Sequence, residues 1–135
     1  MDSEIVISGI AGRYPRSRNV KEFSENLYGK VDMIDDDESR WENFNDEVPK
    51  RFGKIPNLKK FDARFFSILN KHANWTDPQM RVLLEHSYEA ILDAGVSPQS
   101  LVGSRTGVFI GNSETDSKEV FAHQIPTKEG HALGG

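Results

Sequence analysis

The residues of this chain whose types could do chemistry are four histidines, an acidic run and a glycine-rich turn, and among its 135 residues there is no cysteine. The histidines are His72, His86, His123 and His131. They show no H-x-x-x-H spacing and have no cysteine partner, so the sequence lacks the pattern of a zinc cluster. His86 lies beside the apolar stripe of a predicted helix, which favours a partly buried structural histidine over a catalytic base. Without a thiol, the sequence excludes disulfide bonds, cysteine zinc ligands and a thiolate nucleophile.

Charged residues concentrate in the long connection from Lys30 to Lys60, where no hydrophobic periodicity is visible. An EF-hand loop that starts at Asp35 would place Arg40 where that loop requires glycine, so the acidic run 35–38 favours a solvated turn or a helix cap over calcium. The basic side chains nearby are expected to be neutralised by this run rather than to form an anion-binding patch. They are Lys50, Arg51, Lys54, Lys59 and Lys60. A connection of this length is usually functional, an interface element or poorly ordered.

The strongest local signals belong to a helix that is predicted to run from about Pro78 to Ala94. Asp77 can cap it, Pro78 suits its first position, and Gly95 suits a left-handed stop. Its apolar residues recur at helical spacing and are expected to face a core. They are Met80, Leu83, Leu84, Tyr88, Ile91 and Leu92. The opposite face is expected to lie in solvent, with Arg81, Glu85, Glu89 and Asp93.

Two β-rich runs are predicted to be strands. The run from Thr106 to Ile110 is uncharged and lies between glycines, which favours a strand buried on both faces that needs neighbouring strands. The run from Glu4 to Gly12 is rich in β-branched residues and breaks at its glycines, which indicates a strand that leads into a tight turn. That turn, GIAGRYP, matches neither G-x-x-x-x-G-K-[ST] nor G-x-G-x-x-G, so we interpret it as structural and not as a nucleotide-binding loop.

Two further helical stretches are predicted. Asn19 and Glu22 form a capping pair before a short amphipathic helix with Val20, Phe23 and Leu27 on one face, and Gly29 follows its end. From Lys60 to Leu69 the apolar residues share one helical face and are expected to belong to the core. They are Phe61, Phe65, Phe66 and Leu69.

Composition sets limits on the class of protein. A length of 135 residues corresponds to one domain or part of one. The net charge of -4 disfavours nucleic acid as a partner. The start MDSEIVISGI has acidic residues where a signal peptide has basic ones, and its apolar run is too short for a membrane span. We therefore expect a cytoplasmic protein, in which the formal glycosylation sequon Asn74-Trp75-Thr76 is not used.

Several short stretches occur in a characteristic order: VISGIAGRYP, the run from Asn19 to Leu27, F-D-A-x-F-F at Phe61, D-P-Q-x-R-x-L-L-E at Asp77, A-x-x-D-A-G ending at Gly95, and T-G-V-F-I-G at Thr106. In this order and spacing they resemble the amino-terminal part of β-ketoacyl synthase domains, and the resemblance covers nearly the whole chain. GKVDMIDDDESRW and RFGKIPNLKKFDARFF look most like the ketosynthase of animal-type fatty acid synthase, with reducing polyketide synthases second. The departures are mild, since residues 74–76 and Val82 replace other residues that are common in the family.

This resemblance implies part of an α/β, thiolase-like fold, in which two related halves have sheets between layers of helices, usually in a homodimer. It also implies a chemistry in which an acyl chain is loaded on a cysteine and malonyl on an acyl carrier protein, which carries phosphopantetheine, loses carbon dioxide and attacks the thioester. The family's cysteine lies in a T-A-C-S-S motif beyond the position where this chain stops, and its two histidines lie further on. The resemblance therefore places no catalytic, cofactor-binding or metal-binding residue in this chain.

Two hypotheses follow, one for a segment of an enzyme and one for a non-catalytic module. In the first, residues 1–135 are the amino-terminal portion of a ketosynthase domain of a multifunctional fatty acid synthase, truncated before the active-site cysteine, whose partners are the remainder of that domain and an acyl carrier protein. In the second, the chain is a non-catalytic binding or dimerisation module derived from a fatty acid or polyketide synthase. An open reading frame that continues from Gly135 into T-A-C-S-S would support the first hypothesis. An in-frame stop would support the second.

Overall fold

The structure, a computed structural model, describes residues 4–36 and 51–112. Within these ranges the α-helices are α1 (Val20–Tyr28), α2 (Asn70–Trp75) and α3 (Pro78–Asp93), and a 3-10 turn spans Pro98–Leu101. Predictions that concern His123, His131, Lys50, Glu38 and the end of the chain lie outside the described residues. No helix in the described ranges combines the length and the apolar character that crossing a bilayer requires.

The predicted central helix is confirmed as α3, and its ends form as the sequence indicates. The Asp77 carboxylate accepts a hydrogen bond of 2.7 Å from the Gln79 N–H, and Pro78 occupies the first turn. Gly95 has φ +70° and donates its N–H to the Leu92 carbonyl at 2.9 Å. A residue with a side chain would be strained at this φ, so glycine suits the position.

The two faces of α3 differ from the sequence prediction. Met80 and Leu92 of the apolar stripe are exposed, and the other apolar residues of the stripe are only half-buried. On the face predicted to lie in solvent, Glu85 and Asp93 instead bind residues of the amino-terminal segment. The prediction was wrong here because it assumed a closed core beneath the stripe, and the described residues form no sheet that could complete one.

The first helix begins at the predicted cap. The Asn19 side chain accepts a 2.8 Å hydrogen bond from the Glu22 N–H. The Glu22 carboxylate accepts from the Arg18 guanidinium and from the Arg18 N–H at 2.8 Å, and the hydrogen bond from the Arg18 side chain lowers the pKa of Glu22 below its usual range. The end of the helix differs from expectation, since Gly29 stays right-handed at φ -72° and Lys30 takes the left-handed conformation at φ 55°.

Two aspartates after α1, Asp32 and Asp35, form ion pairs, but with other partners than the sequence predicts. A backbone bridge joins Asp35 and Phe52, which brings residues 32–35 beside residues 51–52. Arg51 then binds the Asp32 carboxylate at 2.5 Å, and Asp35 of the acidic run pairs with Arg16. Arg51 is therefore neutralised by an aspartate outside the acidic run, while Asp35 binds a cation that precedes it in the chain.

The stretch from Phe61 to Leu69 is not a helix, contrary to the prediction. Its residues form turns in which the Asp62 carboxylate accepts from the Phe65 N–H at 2.9 Å and Ser67 has φ 55°. The aromatic rings still pack together: Phe61 and Phe66 stack at 5.4 Å, and Phe65 meets Tyr88 of α3 edge-on at 4.8 Å. Phe65 remains partly in solvent, so these rings form a surface cluster against α3 rather than a closed core.

Neither predicted strand forms a ladder with any other described residue. The runs from Glu4 to Gly12 and from Thr106 to Ile110 have no strand assignment, and their large apolar side chains are mostly exposed. Parallel strands are stabilised by neighbouring strands and by helices that cover both faces. The described residues supply a helix but no further strand, so both runs remain single extended segments.

Candidate functional site

The amino-terminal segment is fixed to α3 at three points, which together we call the clamp: Gly9, Ile10 and Arg13. A Cβ on Gly9 would lie 2.1 Å from the Ala90 carbonyl oxygen, so the two backbones approach as closely as only glycine permits. The Ile10 N–H donates to the Asp93 carboxylate at 2.9 Å. These contacts hold the segment against the carboxyl-terminal turns of α3.

The third point of the clamp is an ion pair between Arg13 and Glu85. The Arg13 Nη2 atom lies 2.6 Å from Glu85 Oε2, and the two side chains are 14% and 17% exposed. A charge-assisted hydrogen bond in such a sheltered position is stronger than a surface ion pair. Arg13 Nη1 and Arg81 Nε are also buried, and they have no hydrogen-bond partner among the described residues.

The contacts of the clamp show in which direction the amino-terminal segment runs along α3. Along the chain, Gly9 and Ile10 meet the end of α3, and Arg13 meets Glu85 two turns earlier in the helix. The segment therefore runs antiparallel to α3. The second extended segment begins at residue 106. Its end, at Ile110 and Gly111, lies beside the first turn of α3, where these two residues line a groove.

This groove has a volume of about 450 Å³ and a mainly apolar lining. It lies between the start of α3, the connection before α2 and the end of the second extended segment. Its lining includes Ile55, Leu58, Met80, Leu83, His86 and Ile110. An apolar groove of this size suits an apolar chain or side chain more than a polar metabolite.

His86 has the partly buried position that the sequence predicts. Its side chain is 12% exposed, and its Nδ1 lies 2.8 Å from the Glu89 carboxylate. Nε2 is buried and has no hydrogen-bond partner within the described ranges. No serine hydroxyl or other nucleophile in these ranges bonds to the ring, so the geometry does not build a nucleophile and base pair around His86.

The other candidate residues that lie within the described ranges do not converge on one place. His72 lies exposed in the last turn of α2. Among residues 4–36 and 51–112, no three histidine or carboxylate side chains are arranged to hold a metal ion. Sequence reasoning missed the clamp because 72 positions separate Arg13 from Glu85. The one local signal for it was a glycine inside a strand-like run, which often marks a close backbone approach.

We expect the Arg13 and Glu85 side chains to be energetically coupled. In a double-mutant cycle with Arg13→Met and Glu85→Gln, the coupling should exceed about 1 kcal/mol, because either single change leaves a sheltered charge or donor without its partner. Denaturant unfolding followed by circular dichroism measures it. The exposed pair Lys21 and Glu25, 3.9 Å apart, is the control and should couple by less than about 0.5 kcal/mol. Equal coupling in the two pairs would show that the Arg13–Glu85 ion pair stabilises the protein no more than an exposed pair does.

Comparison with known proteins identifies what the chain is similar to. Residues 2–133 match the family described as "Beta-ketoacyl synthase, N-terminal domain". The fatty acid synthase of Anser anser anser is 45% identical over 132 residues, which are 98% of this chain and 38% of that sequence. The 6-methylsalicylic acid synthase of Aspergillus terreus is 33% identical over 139 residues, across 94% of this chain and 8% of that sequence.

The solved structures that resemble this chain are also ketosynthase domains. The oxazolomycin ketosynthase domain of Streptomyces albus JA3453 superposes with a TM-score of 0.74 at 33% identity, over 84% of this chain and 21% of that chain. The ketosynthase from module 6 of the bacillaene synthase of Bacillus subtilis 168 superposes with a TM-score of 0.64 at 38% identity, over 69% and 17% of the two chains. The chain thus spans well under half the length of the proteins that it matches.

Proposed function

Because this chain belongs to the β-ketoacyl synthase family, we propose that it is the amino-terminal part of a condensing enzyme and supplies its framework rather than its catalytic groups. The observation that carries this proposal is the family match over residues 2–133. The fold is the corresponding part of the α/β, thiolase-like fold of ketosynthase domains, represented here by its helices and two unpaired extended segments.

In the proposed reaction, an acyl group held as a thioester on the enzyme is attacked by the carbanion that forms when a malonyl thioester loses carbon dioxide. A carbon-carbon bond forms, the enzyme thiolate leaves, and the product is a β-ketoacyl thioester on the carrier protein. The step needs a thiol, and this chain has no cysteine. We propose that the nucleophile and the family's two histidines lie in sequence beyond residues 1–135, in the remainder of the same ketosynthase domain.

The parent that we propose is an animal-type fatty acid synthase, a multifunctional cytoplasmic homodimer whose acyl carrier protein bears phosphopantetheine. The support is the difference between 45% identity to a fatty acid synthase and 33% identity to a 6-methylsalicylic acid synthase. The substrates are then saturated acyl thioesters and malonyl on the carrier protein.

The role that we assign to the described residues follows from the clamp. Arg13 lies in the GRYP turn and Glu85 closes the D-P-Q-x-R-x-L-L-E stretch, so the ion pair joins two of the stretches by which the chain resembles ketosynthases. A bond between two distant stretches sets the position of the amino-terminal segment on α3. We infer that these stretches serve to align the first strand of the domain.

A chimera tests the proposed function. In a ketosynthase domain of a related fatty acid synthase, the matching amino-terminal stretch is replaced by residues 2–133 of this chain, and β-ketoacyl product is measured with an acyl thioester and malonyl carrier protein. Product at a rate within about tenfold of the unmodified domain is the expected result. The same domain with its amino-terminal stretch deleted is the control. A chimera that unfolds cooperatively yet makes no more product than the deleted domain would overturn the proposal and favour the non-catalytic module.

A further inference from the structure

Two arginine side chains at α3 have buried hydrogen-bond donors without an acceptor. Arg13 Nη1 and Arg81 Nε are both shielded from solvent, and neither bonds to any described residue. Arg81 lies one turn before Glu85 on the same side of the helix, and Arg13 reaches that side through its ion pair with Glu85. A donor that loses its water without gaining an acceptor costs free energy, so both donors require one.

The charges at this place do not balance. The carboxylate of Glu85 is the one anion between the two guanidinium groups, and it is bonded to Arg13. Arg81 is half-buried and forms no ion pair within the described ranges. A sheltered cation is costly unless an anion pairs with it. One negative charge is therefore missing beside Arg81.

The other carboxylates of α3 and its cap are already bonded elsewhere. Asp77 caps the helix, Glu89 bonds to His86, and Asp93 accepts from the Ile10 N–H. A protein acceptor for the two donors must therefore come from outside the described ranges. The chain covers only 21% of the chain of the solved oxazolomycin ketosynthase, so the greater part of such a protein is available to supply it.

The chemistry of the two donors indicates a carboxylate. Each guanidinium presents one unpartnered buried nitrogen, and a carboxylate has two acceptor oxygens that can receive one hydrogen bond from each. A backbone carbonyl would accept a hydrogen bond but would leave the extra positive charge unpaired. An aspartate or glutamate satisfies both the hydrogen bonds and the charge.

We propose that Arg13 and Arg81 form a binding site for an aspartate or glutamate side chain of the remainder of the ketosynthase domain. The carboxylate bridges Arg13 Nη1 and Arg81 Nε, so that Glu85, Arg13, the incoming carboxylate and Arg81 form a network of alternating charge. This inference rests on the function proposed above, because it takes the rest of that domain as the partner. The clamp then fixes the amino-terminal segment to α3, and the carboxylate fixes α3 to the rest of the domain.

Carbodiimide coupling in the chimera described above tests this site. The reagent joins an amine to a carboxylate in contact with it as an amide, with loss of water. In an Arg81→Lys chimera, we expect the new amine to link to one aspartate or glutamate of the remainder, which mass spectrometry of the peptides identifies. An Arg13→Lys chimera is the positive control, because its amine should link to Glu85, which lies 2.6 Å from Arg13 in the clamp. The unchanged chimera should show no link at Arg81, since a guanidinium does not couple.

Charge reversal measures what the site contributes to stability. Arg81→Glu should lower the ratio of folded to unfolded chimera at least about tenfold in denaturant unfolding, because carboxylates then meet without a cation between them. Replacing the linked acidic residue by arginine in the same chimera should restore most of that ratio, which a merely structural role of Arg81 would not allow. Arg64→Glu, in an exposed turn, is the matched control and should change the ratio by less than about threefold.

The links also show which part of the protein supplies the carboxylate. A link of Arg81→Lys only to Glu85, or to a carboxylate of residues 113–135, would overturn the proposal, since the acceptor would then belong to this chain. The absence of a link while Arg13→Lys still couples to Glu85 would overturn it as well.

The rate of product formation by the unchanged chimera separates this proposal from the proposed function. A chimera that makes product but gives no link from Arg81→Lys overturns the carboxylate site alone. A chimera that gives the link but makes no product supports the site and counts against the condensing function.

Discussion

Replacing Gly9 by alanine is expected to detach the amino-terminal segment from α3. The new Cβ would lie 2.1 Å from the Ala90 carbonyl oxygen, 2.7 Å from the Ala94 nitrogen and 2.9 Å from the Ala94 Cβ. These are helix backbone atoms and a short side chain, so no flexible group can turn aside to make room. The segment must move, and we expect a loss of about 3 kcal/mol, at the upper end for an overpacked contact.

The Ile10 amide provides a specific measurement of this detachment. Its N–H donates to Asp93 at 2.9 Å in the clamp, so its hydrogen exchange should become fast when the segment lifts from the helix. Gly111→Ala is the matched control, because a Cβ at Gly111 meets nothing within 4 Å, and its effect should stay within about 0.5 kcal/mol. If Gly9→Ala leaves the exchange of Ile10 unchanged, the backbone approach at Gly9 does not hold the segment.

The sequence predicts those parts of the fold whose signals are local. The cap at Asp77, the proline after it and the left-handed Gly95 all act within one or two helical turns, and α3 begins and ends where they indicate. The cap at Asn19 is of the same kind. A prediction from local spacing fails where a side chain hydrogen-bonds to the backbone and stabilises a turn instead of the predicted helix. The Asp62 carboxylate binds the Phe65 N–H and stabilises a turn where the aromatic spacing favours a helix.

The arrangements that could not be predicted depend on residues far apart in the chain. Arg13 and Glu85 each look like solvated charges when only their neighbours in sequence are considered, yet they pair in a sheltered place. Residues 4–12 and 106–110 have the composition of strands, but a strand is realised only when partners are present. The resemblance to ketosynthases, in contrast, depends on the order of several short stretches, and the comparisons confirm it.

The largest expected effect concerns the reaction itself: this chain, purified alone, should perform no carbon-carbon condensation. An acyl group must be held as a reactive thioester, because transfer between thioesters is nearly neutral in energy whereas an oxygen ester is a poorer acyl donor to a carbanion. The chain has no cysteine. None of its serines lies in a G-x-S-x-G setting, and His86 bonds to Glu89 rather than to a hydroxyl. An oxygen nucleophile therefore has no base oriented on it among the described residues.

The enolate that forms on decarboxylation also needs preorganised hydrogen-bond donors, and the loss of even one such donor typically costs about a hundredfold in rate. With the nucleophile and the family's donors missing together, the rate should fall on the order of 10⁴-fold or more below that of the chimera described above. The measurement combines the chain with an acyl thioester and malonyl carrier protein, and follows released carbon dioxide, β-ketoacyl product and the mass of the chain. A heat-treated sample is the control. A stable acyl adduct on any side chain, together with condensation above that control, would show that the chain contains a working oxygen nucleophile and that its role is catalytic.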